Sequence, residues 1–449
     1  MKRTLFHLIT MILFLTACQQ SKNENKEEKP SAKRATIEDV DRGIRAHIEK
    51  EIAASDGYFH YEGDTSVLDL KLVRVHTEYL SVLGPNKFFA CVDLATTEGD
   101  VYDVDFFLNG TADNMEVTST NLHKLNGKPY YTWKQSKDKT WFTVPVKNAS
   151  NDLLGVIEGQ DRFTFTYEVV LPQITTDARL WLPIAQSDRF QQITSQNIVA
   201  RVDYTVIKEA TFGNQILFME LSPEQSEQKI TISYEVIREE KTAYRDEEAE
   251  VDRYLEGTPL IPLTDRFSTI ANEVLAESNA STPLTEARAL YDYIIDNMRY
   301  AKQGKYGTGD ANYACDSKSG NCTEFHSFFI ALARSVGIPA RFAVGASIPS
   351  ERNEGGVNGY HCWAEFYAEG KWWPIDISEG NKYTPLATYY FGHHPANRIE
   401  LSKGRNLEFS PGPSTGKVPF LAYPIMEIDG ESAQVKTIFS FERKPKASS

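Results

Sequence analysis

The chain predicts a multidomain protein: an α+β unit with a helix on an antiparallel sheet, then a β-sandwich, then a second α+β unit. Three observations carry this reading. One apolar helical stripe is followed by alternating strands, and a long middle stretch holds strands alone. Beyond about residue 251 helical periodicity returns, giving way to strands again after Gly337. At 449 residues the chain is too long for a single core.

The first element is a leader. In MKRTLFHLITMILFLTAC, Lys2 and Arg3 precede an apolar run from Leu5 to Ala17 that is too short to span a bilayer and reads as a secretory signal. Leu15-Thr16-Ala17-Cys18 resembles the lipobox of bacterial lipoproteins. That resemblance implies a signal peptide over 1–17 and a lipid on Cys18, which would anchor the chain to a bacterial membrane, facing the periplasm or the cell surface. Residues 18–35 then form a charged tether without large apolar residues. The formal charge of −14 is spread along the chain with no basic stripe, which argues against a nucleic-acid partner.

Residues 36–155 form the first folded unit. Thr36 caps a helix with Glu38 and Asp39 in its first turn, and Ile37, Val40, Ile44, Ile48 and Ile52 line one face. VLDLKLVRV, KFFACVDLA and VYDVDFFL follow as strands. The unit is similar to cystatin or another small curved-sheet domain. Cys91, inside a strand, reads as core, and no chemistry is legible here. Residues 156–250 hold only short strands with turns between them. Phe163, Phe165, Tyr167, Val169 and Leu171 fall on one face of the first, and ARLWLPI, ARVDYTVIKE, QILFMEL and KITISYEVI repeat the pattern of a β-sandwich. The charged run Arg238 to Arg253 reads as a joint. Residues 251–449 complete the chain, with amphipathic helices over Thr264 to Ser278 and Thr285 to Met298, the second led in by Thr282-Pro283.

Chemistry concentrates in this last unit. Of five cysteines (Cys18, Cys91, Cys315, Cys322 and Cys362), three fall within 48 residues. Cys322 follows the breakers Gly320 and Asn321 and starts a helix ending near Gly337 and Pro339. A helix N-terminus favours thiolate over thiol. His326, four residues on, could lie over the same turn, but nothing close in sequence would orient its second nitrogen. It reads as packing or substrate wall. YHCWAEFYAEGKWWPIDIS instead predicts a hairpin turning at Glu369-Gly370, with Ala368 opposite Lys371. In that register His361 faces Ser378, and Asp376 is its diagonal neighbour on the same face. Cys362 points to the opposite, core-like face with Ala364, Phe366, Trp373, Ile375 and Ile377. It is expected to be a buried thiol or a disulfide partner. The order Cys322, His361, Asp376 suits a thiol triad in which the acid orients the imidazole and the imidazole serves the sulfur.

GNCTEFHSFFIALARSVGIPARF, YHCWAEFY and KWWPIDIS, in that order, closely resemble the core of the bacterial transglutaminase-like superfamily, over roughly Leu260 to Ser378. The resemblance implies a papain-related α+β core with Cys322 as nucleophile, His361 as base and acid, and Asp376 as orienter. It implies acyl transfer through a thioester on peptide or protein amides, as a cysteine hydrolase (peptidase or amidase) or as an amine-transferring cross-linker, with hydrolysis favoured. The sandwich resembles a unit often found before such cores, and residues 389–409 resemble a strand-rich extension. Neither a cofactor nor a metal is expected. A non-catalytic binding or scaffolding lipoprotein is the alternative, and it would be favoured by a disulfide on Cys322. A metal site from Cys315, Cys322, His326, His361 and Cys362 is weaker, because C-x6-C is not zinc-module spacing, and the pair His393-His394 adds little. The glycines of Ser347 to Gly359 suggest a mobile loop that gates the site.

Overall fold

The computed structural model describes residues 35–63, 66–137, 141–146, 153–247, 250–382 and 384–445. The segment expected to be a leader and the expected lipid site Cys18 lie outside the described residues. No helix among the described residues is long and apolar enough to cross a membrane.

Helix α1, Ile37–Ala54, begins with a reciprocal cap in which Asp39 N–H donates to Thr36 Oγ1 and Thr36 N–H donates to the Asp39 carboxylate. Val40, Ile44 and Ile48 are buried against a seven-stranded sheet, while Ile37 stays exposed at the rim. The sheet is antiparallel throughout, in the order Phe59–Glu62, Val67–Val75, Lys87–Thr96, Val101–Thr111, Asn114–Leu125, Lys128–Pro129, with Ser81–Gly84 also on Lys87–Thr96. Period-two alternation gives α1 the even-numbered residues Ala90, Val92, Leu94, Val104 and Phe106. The odd-numbered face carries Cys91, Asp93, Asp103 and Asp105, all buried. Cys91 is therefore enclosed among carboxylates, not in the apolar core that its strand context suggests.

Ten strands form two five-stranded sheets in the middle of the molecule. One has the order Gln191–Val199, Lys229–Glu239, Gln160–Val170, Lys436–Arg443, Glu354–Val357; the other runs Thr205–Lys208, Gln215–Leu221, Ala178–Ile184, Ile425–Ile428, Glu431–Ser432. Phe163, Phe165, Tyr167 and Val169 alternate inward, as their spacing requires, and pack with Leu180, Leu217, Met219 and Tyr234. The sheets ignore the boundary expected at residue 250. The end of the chain returns to lie beside Gln160–Val170, with Phe439 opposite Tyr167 and Phe441 opposite Phe165, so a strand beyond the expected 389–409 extension closes the sandwich, while that extension gives Arg398–Lys403 to a different sheet. The backbone of Gln160–Val170 needs a partner on both edges, and the apolar period of Lys436–Arg443 fits the same inward face. The Ser347–Gly359 loop is likewise held: Glu354–Val357 pairs with the returning strand and forms the edge of that sheet.

The remaining unit packs α2 (Asp265–Ser278), α3 (Pro283–Asn297), α4 (Ala311–Ser317) and α5 (Cys322–Ser335) with an antiparallel four-stranded sheet. The sheet order is Lys371–Ile375, His361–Ala368, Ala340–Ser347, Arg398–Lys403. Every α5 residue from Cys322 to Ala333 is buried, so this helix lies wholly inside the unit. Two short helices, α6 (Ile377–Gly380) and α7 (Thr384–Tyr389), follow the hairpin.

If the returning strand completes the sandwich, Phe439→Ala should cost about 3–5 kcal/mol. The measurement is urea unfolding of the full chain; a loss below about 1 kcal/mol would mean that the sandwich core does not depend on that strand.

Candidate active site

Cys322 occupies the first position of α5. Asn321 caps the helix, accepting the Thr323 N–H at 2.8 Å on Oδ1, and its own N–H donates to Glu324 Oε2 at 3.0 Å. The chain enters tightly here: a Cβ on Gly320 would stand 2.4 Å from Glu324 Cβ, so only glycine fits. The other oxygen of buried Glu324 accepts the N–H groups of Gly307 and Gly309 at 2.9 and 2.8 Å, tying the 302–310 loop to the mouth of the helix.

The hairpin turns at Glu369 and Gly370, both at positive φ, and pairs Ala368 with Lys371 through Ala364 with Ile375, in the predicted register. The predicted second strand overruns, however. It ends at Ile375, and Asp376 caps α6. His361 and Asp376 therefore do not meet as diagonal strand neighbours. The turn instead brings Asp376 Oδ2 to 2.6 Å from His361 Nε2. The same oxygen accepts Arg398 Nη2 at 2.6 Å, while Oδ1 accepts Ser378 Oγ at 2.9 Å and the Glu379 N–H at 3.1 Å. With Nε2 taken by Asp376, the remaining nitrogen of His361, Nδ1, is the one left free to serve the Cys322 sulfur, whose influence is felt in the raised pKa of the ring.

The electrostatics of the three groups agree. Burial alone would raise the Cys322 pKa, but hydrogen bonds from Cys362 and His361 and the imidazolium charge bring it down to about 6. Burial would lower that of His361, but the Asp376 carboxylate and the Cys322 sulfur carry it to about 10. Burial would likewise raise the Asp376 pKa, and His361 and Arg398 hold it well below the usual carboxylate range. Thiolate and imidazolium are thus the favoured forms at neutral pH.

His326 is fully buried, and its roles are fixed by its partners. Nδ1 donates to the Cys322 carbonyl at 2.7 Å, and Nε2 accepts the Ile377 N–H at 3.2 Å. Burial, with the nearby positive charge of His361 adding to it, lowers its pKa to about 4 despite Asp376 close by. It is a neutral strut between α5 and the turn that follows Asp376, with neither nitrogen turned to the sulfur.

Cys362 is the buried thiol expected, but its place relative to the site is not. It is a free, buried thiol, as are Cys315, Cys322 and Cys91. Yet it is not withdrawn from the site: its side chain and its backbone N–H stand close enough to the Cys322 sulfur to pull the pKa of that thiol down. Its Sγ also lies 3.7 Å from His326 Nδ1. Because α5 packs on the Cys362 face with its N-terminus at the start of the strand, consecutive residues from opposite faces both reach one sulfur. Burial and the adjacent Cys322 sulfur raise the Cys362 pKa well above the ordinary thiol range, which keeps it protonated as a donor.

Arg398 was missed by sequence reasoning. It is fully buried, pairs with Asp376, and lies over the rings of Trp363 and Tyr390 at 5.0 and 5.4 Å. An arginine opening a strand that alternates polar residues with Ile399 and Leu401 gave no sign of its role, because its partner is not adjacent in sequence. His394, also buried, donates from Nε2 to the Ile375 carbonyl and steadies the end of the hairpin.

Residues 269–377 match the transglutaminase-like superfamily, so this part of the chain is a transglutaminase-like domain. Over 319 residues the chain is 24% identical to an uncharacterized protein of Haemophilus influenzae strain Rd, covering 60% of this chain and 86% of that one. Among solved structures it is similar to a proposed cysteine protease from Cytophaga hutchinsonii (13% identity, TM-score 0.43, 65% of this chain and 94% of that one). It is also similar to a TGase (18% identity, TM-score 0.21, 33% and 41%).

Two consequences can be measured. Arg398→Ala removes one cation from a buried carboxylate and should cost about 3–5 kcal/mol in denaturant unfolding; a near-zero change would mean that Asp376 does not need it. The His326 ring should remain neutral in NMR titration down to about pH 4. The unfolded ring protonates near 6.5 and the folded ring only near 4, so its contribution to stability is complete above 6.5 and is lost as pH falls through 4. Protonation of the folded ring near 6.5 would contradict the assigned roles.

Proposed function

We propose that this protein is a thiol acyl-transfer enzyme acting on peptide or protein amides, with Cys322 as nucleophile, His361 as acid and base, and Asp376 as orienter. One observation carries the reading: a buried sulfur, imidazole and carboxylate are joined in series, with thiolate and imidazolium favoured at neutral pH.

The Cys322 thiolate attacks the amide carbonyl, and the developing oxyanion is met by backbone N–H groups at the start of α5. His361 gives its Nδ1 proton to the departing amine or ammonia, leaving a thioester on Cys322. The neutral ring then takes a proton from water as water attacks the thioester, releasing acid and restoring the thiolate–imidazolium pair. Asp376, held by Arg398 and Ser378, keeps Nδ1 turned to the sulfur throughout. Hydrolysis is the favoured outcome, with an amine as the other acyl acceptor. Lipid on Cys18 would hold the enzyme at a bacterial membrane.

Alkylation by iodoacetamide, followed by mass spectrometry at each cysteine, should place the Cys322 midpoint near pH 6. In His361→Ala it should move up toward about 8.5. Cleavage of unfolded protein and peptide amides, and release of ammonia from glutaminyl peptides, should fall on the order of 10³-fold or more in Cys322→Ala and His361→Ala. The pH profile should rise through about 6 as the thiol ionises and fall near 10 as His361 loses its proton. An ordinary thiol midpoint, with no turnover of any amide, would return the domain to a binding role.

A further inference from the structure

The face of the N-terminal sheet turned away from α1 gathers a second set of chemically able side chains, far from Cys322 in sequence. Cys91 is paired opposite Asp105, and Asp103 lies two residues along the same strand, on the same face. His123 joins them from Asn114–Leu125, where the register slips between Asp103 and Val104. One ligand atom from each of Cys91, Asp103, Asp105 and His123 lies within 4.8 Å of all the others.

The details go beyond crowding. His123 Nδ1 is buried with no hydrogen-bond partner, and points at Asp105 Oδ1 (3.5 Å) and Asp103 Oδ1 (3.9 Å). Its ring is stacked on Tyr131, centroids 4.7 Å apart. Each carboxylate is gripped from outside by its other oxygen: Tyr131 OH donates to Asp105 Oδ2 at 2.7 Å, and the Lys124 ammonium holds Asp103 Oδ2. Cys91 Sγ donates to the inward oxygen of Asp103 at 2.7 Å. Four inward donor atoms, with both carboxylates oriented by outer hydrogen bonds and the imidazole by stacking, are the arrangement by which proteins hold metal ions. Neighbouring His76 makes the contrast, since its two nitrogens are taken by Asp93 and Glu78, and Asp93 also pairs with Arg288.

We propose that Cys91, Asp103, Asp105 and His123 bind one divalent transition-metal ion of the zinc class as a structural site. Thiolate, imidazole and two monodentate carboxylates are a four-coordinate set for a borderline ion, and bonds of about 2.0–2.3 Å would space such ligands by roughly 3–4 Å. On binding, the ion replaces the Cys91 proton: the S–H bond breaks, an S–metal bond forms, and one proton passes to solvent. The charges of the thiolate, two carboxylates, the ion and Lys124 then cancel, as a buried cluster requires. The ion would join three consecutive strands of the sheet.

The full lipid-free chain, stripped with a chelator, is titrated with Co²⁺. One equivalent should give a sulfur-to-cobalt charge-transfer band with tetrahedral ligand-field bands, release one proton, and yield to Zn²⁺. The bands should persist in a Cys322→Ser, Cys362→Ser chain and vanish in Cys91→Ser. If Cys91→Ser does not fold, His123→Gln and Tyr131→Phe serve instead, and each should weaken binding about 10–100-fold. Absence of the bands, their survival in Cys91→Ser, unchanged affinity in both His123→Gln and Tyr131→Phe, or their loss with Cys322 and Cys362 would overturn the proposal.

Discussion

A carboxylate without exposed surface is stable only where cations and donors replace its water, and Asp376 has such replacements from three parts of the chain. His361 comes from the start of a central strand, Arg398 from an edge strand, and Ser378 and Glu379 from the turn that the acid itself caps. Helix α5 is tied to the same turn: the Ile377 N–H, next to Asp376, is bound to His326, whose other nitrogen holds the Cys322 carbonyl. Desolvating one ion costs several kcal/mol, so each of these elements is committed to a position relative to the others. The sulfur is placed indirectly, by the helix that carries it and by the ring that Asp376 orients.

A second buried carboxylate does similar work where the sandwich meets the transglutaminase-like domain. Glu365 accepts Lys241 Nζ at 2.8 Å, Arg341 Nε at 2.7 Å and Tyr244 OH at 3.0 Å. Arg341 also stacks over Trp372, 3.9 Å from its ring. Backbone bonds from Lys241 to His394 and from Tyr244 to Trp372 reinforce the same seam. The charged run read as a joint is thus, at its start, a docked segment. Glu365 lies four residues along the strand from His361, so the seam and the site share one rigid element. On the opposite side, Arg288 of α3 pairs with Asp93, and Arg74 with Asp292, which ties the N-terminal sheet to the helices.

Much of this was legible in the residues. The cap at Thr36, the strand alternation in both sheets, the helix start at Cys322 and the Ala368–Lys371 register all depend on contacts a few residues apart. Local periodicity and turn chemistry report such contacts directly. His361 and Asp376 were placed together by the hairpin register, although the turn into α6, and not the strand, makes their contact. His326 was set aside for want of an orienting partner. The structure instead supplies two partners, and they use up both nitrogens.

Sequence by itself determined the main helices and strands, that a cysteine heads a helix, and that a histidine and an aspartate are brought near each other by one hairpin. These follow from steric periods and capping, which act over a few residues. Only the tertiary structure decided that the end of the chain closes the sandwich, that Arg398 neutralises Asp376, that Cys362 serves the Cys322 sulfur, and that Cys91 stands among carboxylates. Each of these joins residues from distant or opposite-facing positions. Their pairing is set by which buried backbone, charge or thiol must be satisfied once the elements pack, and no local pattern encodes that demand.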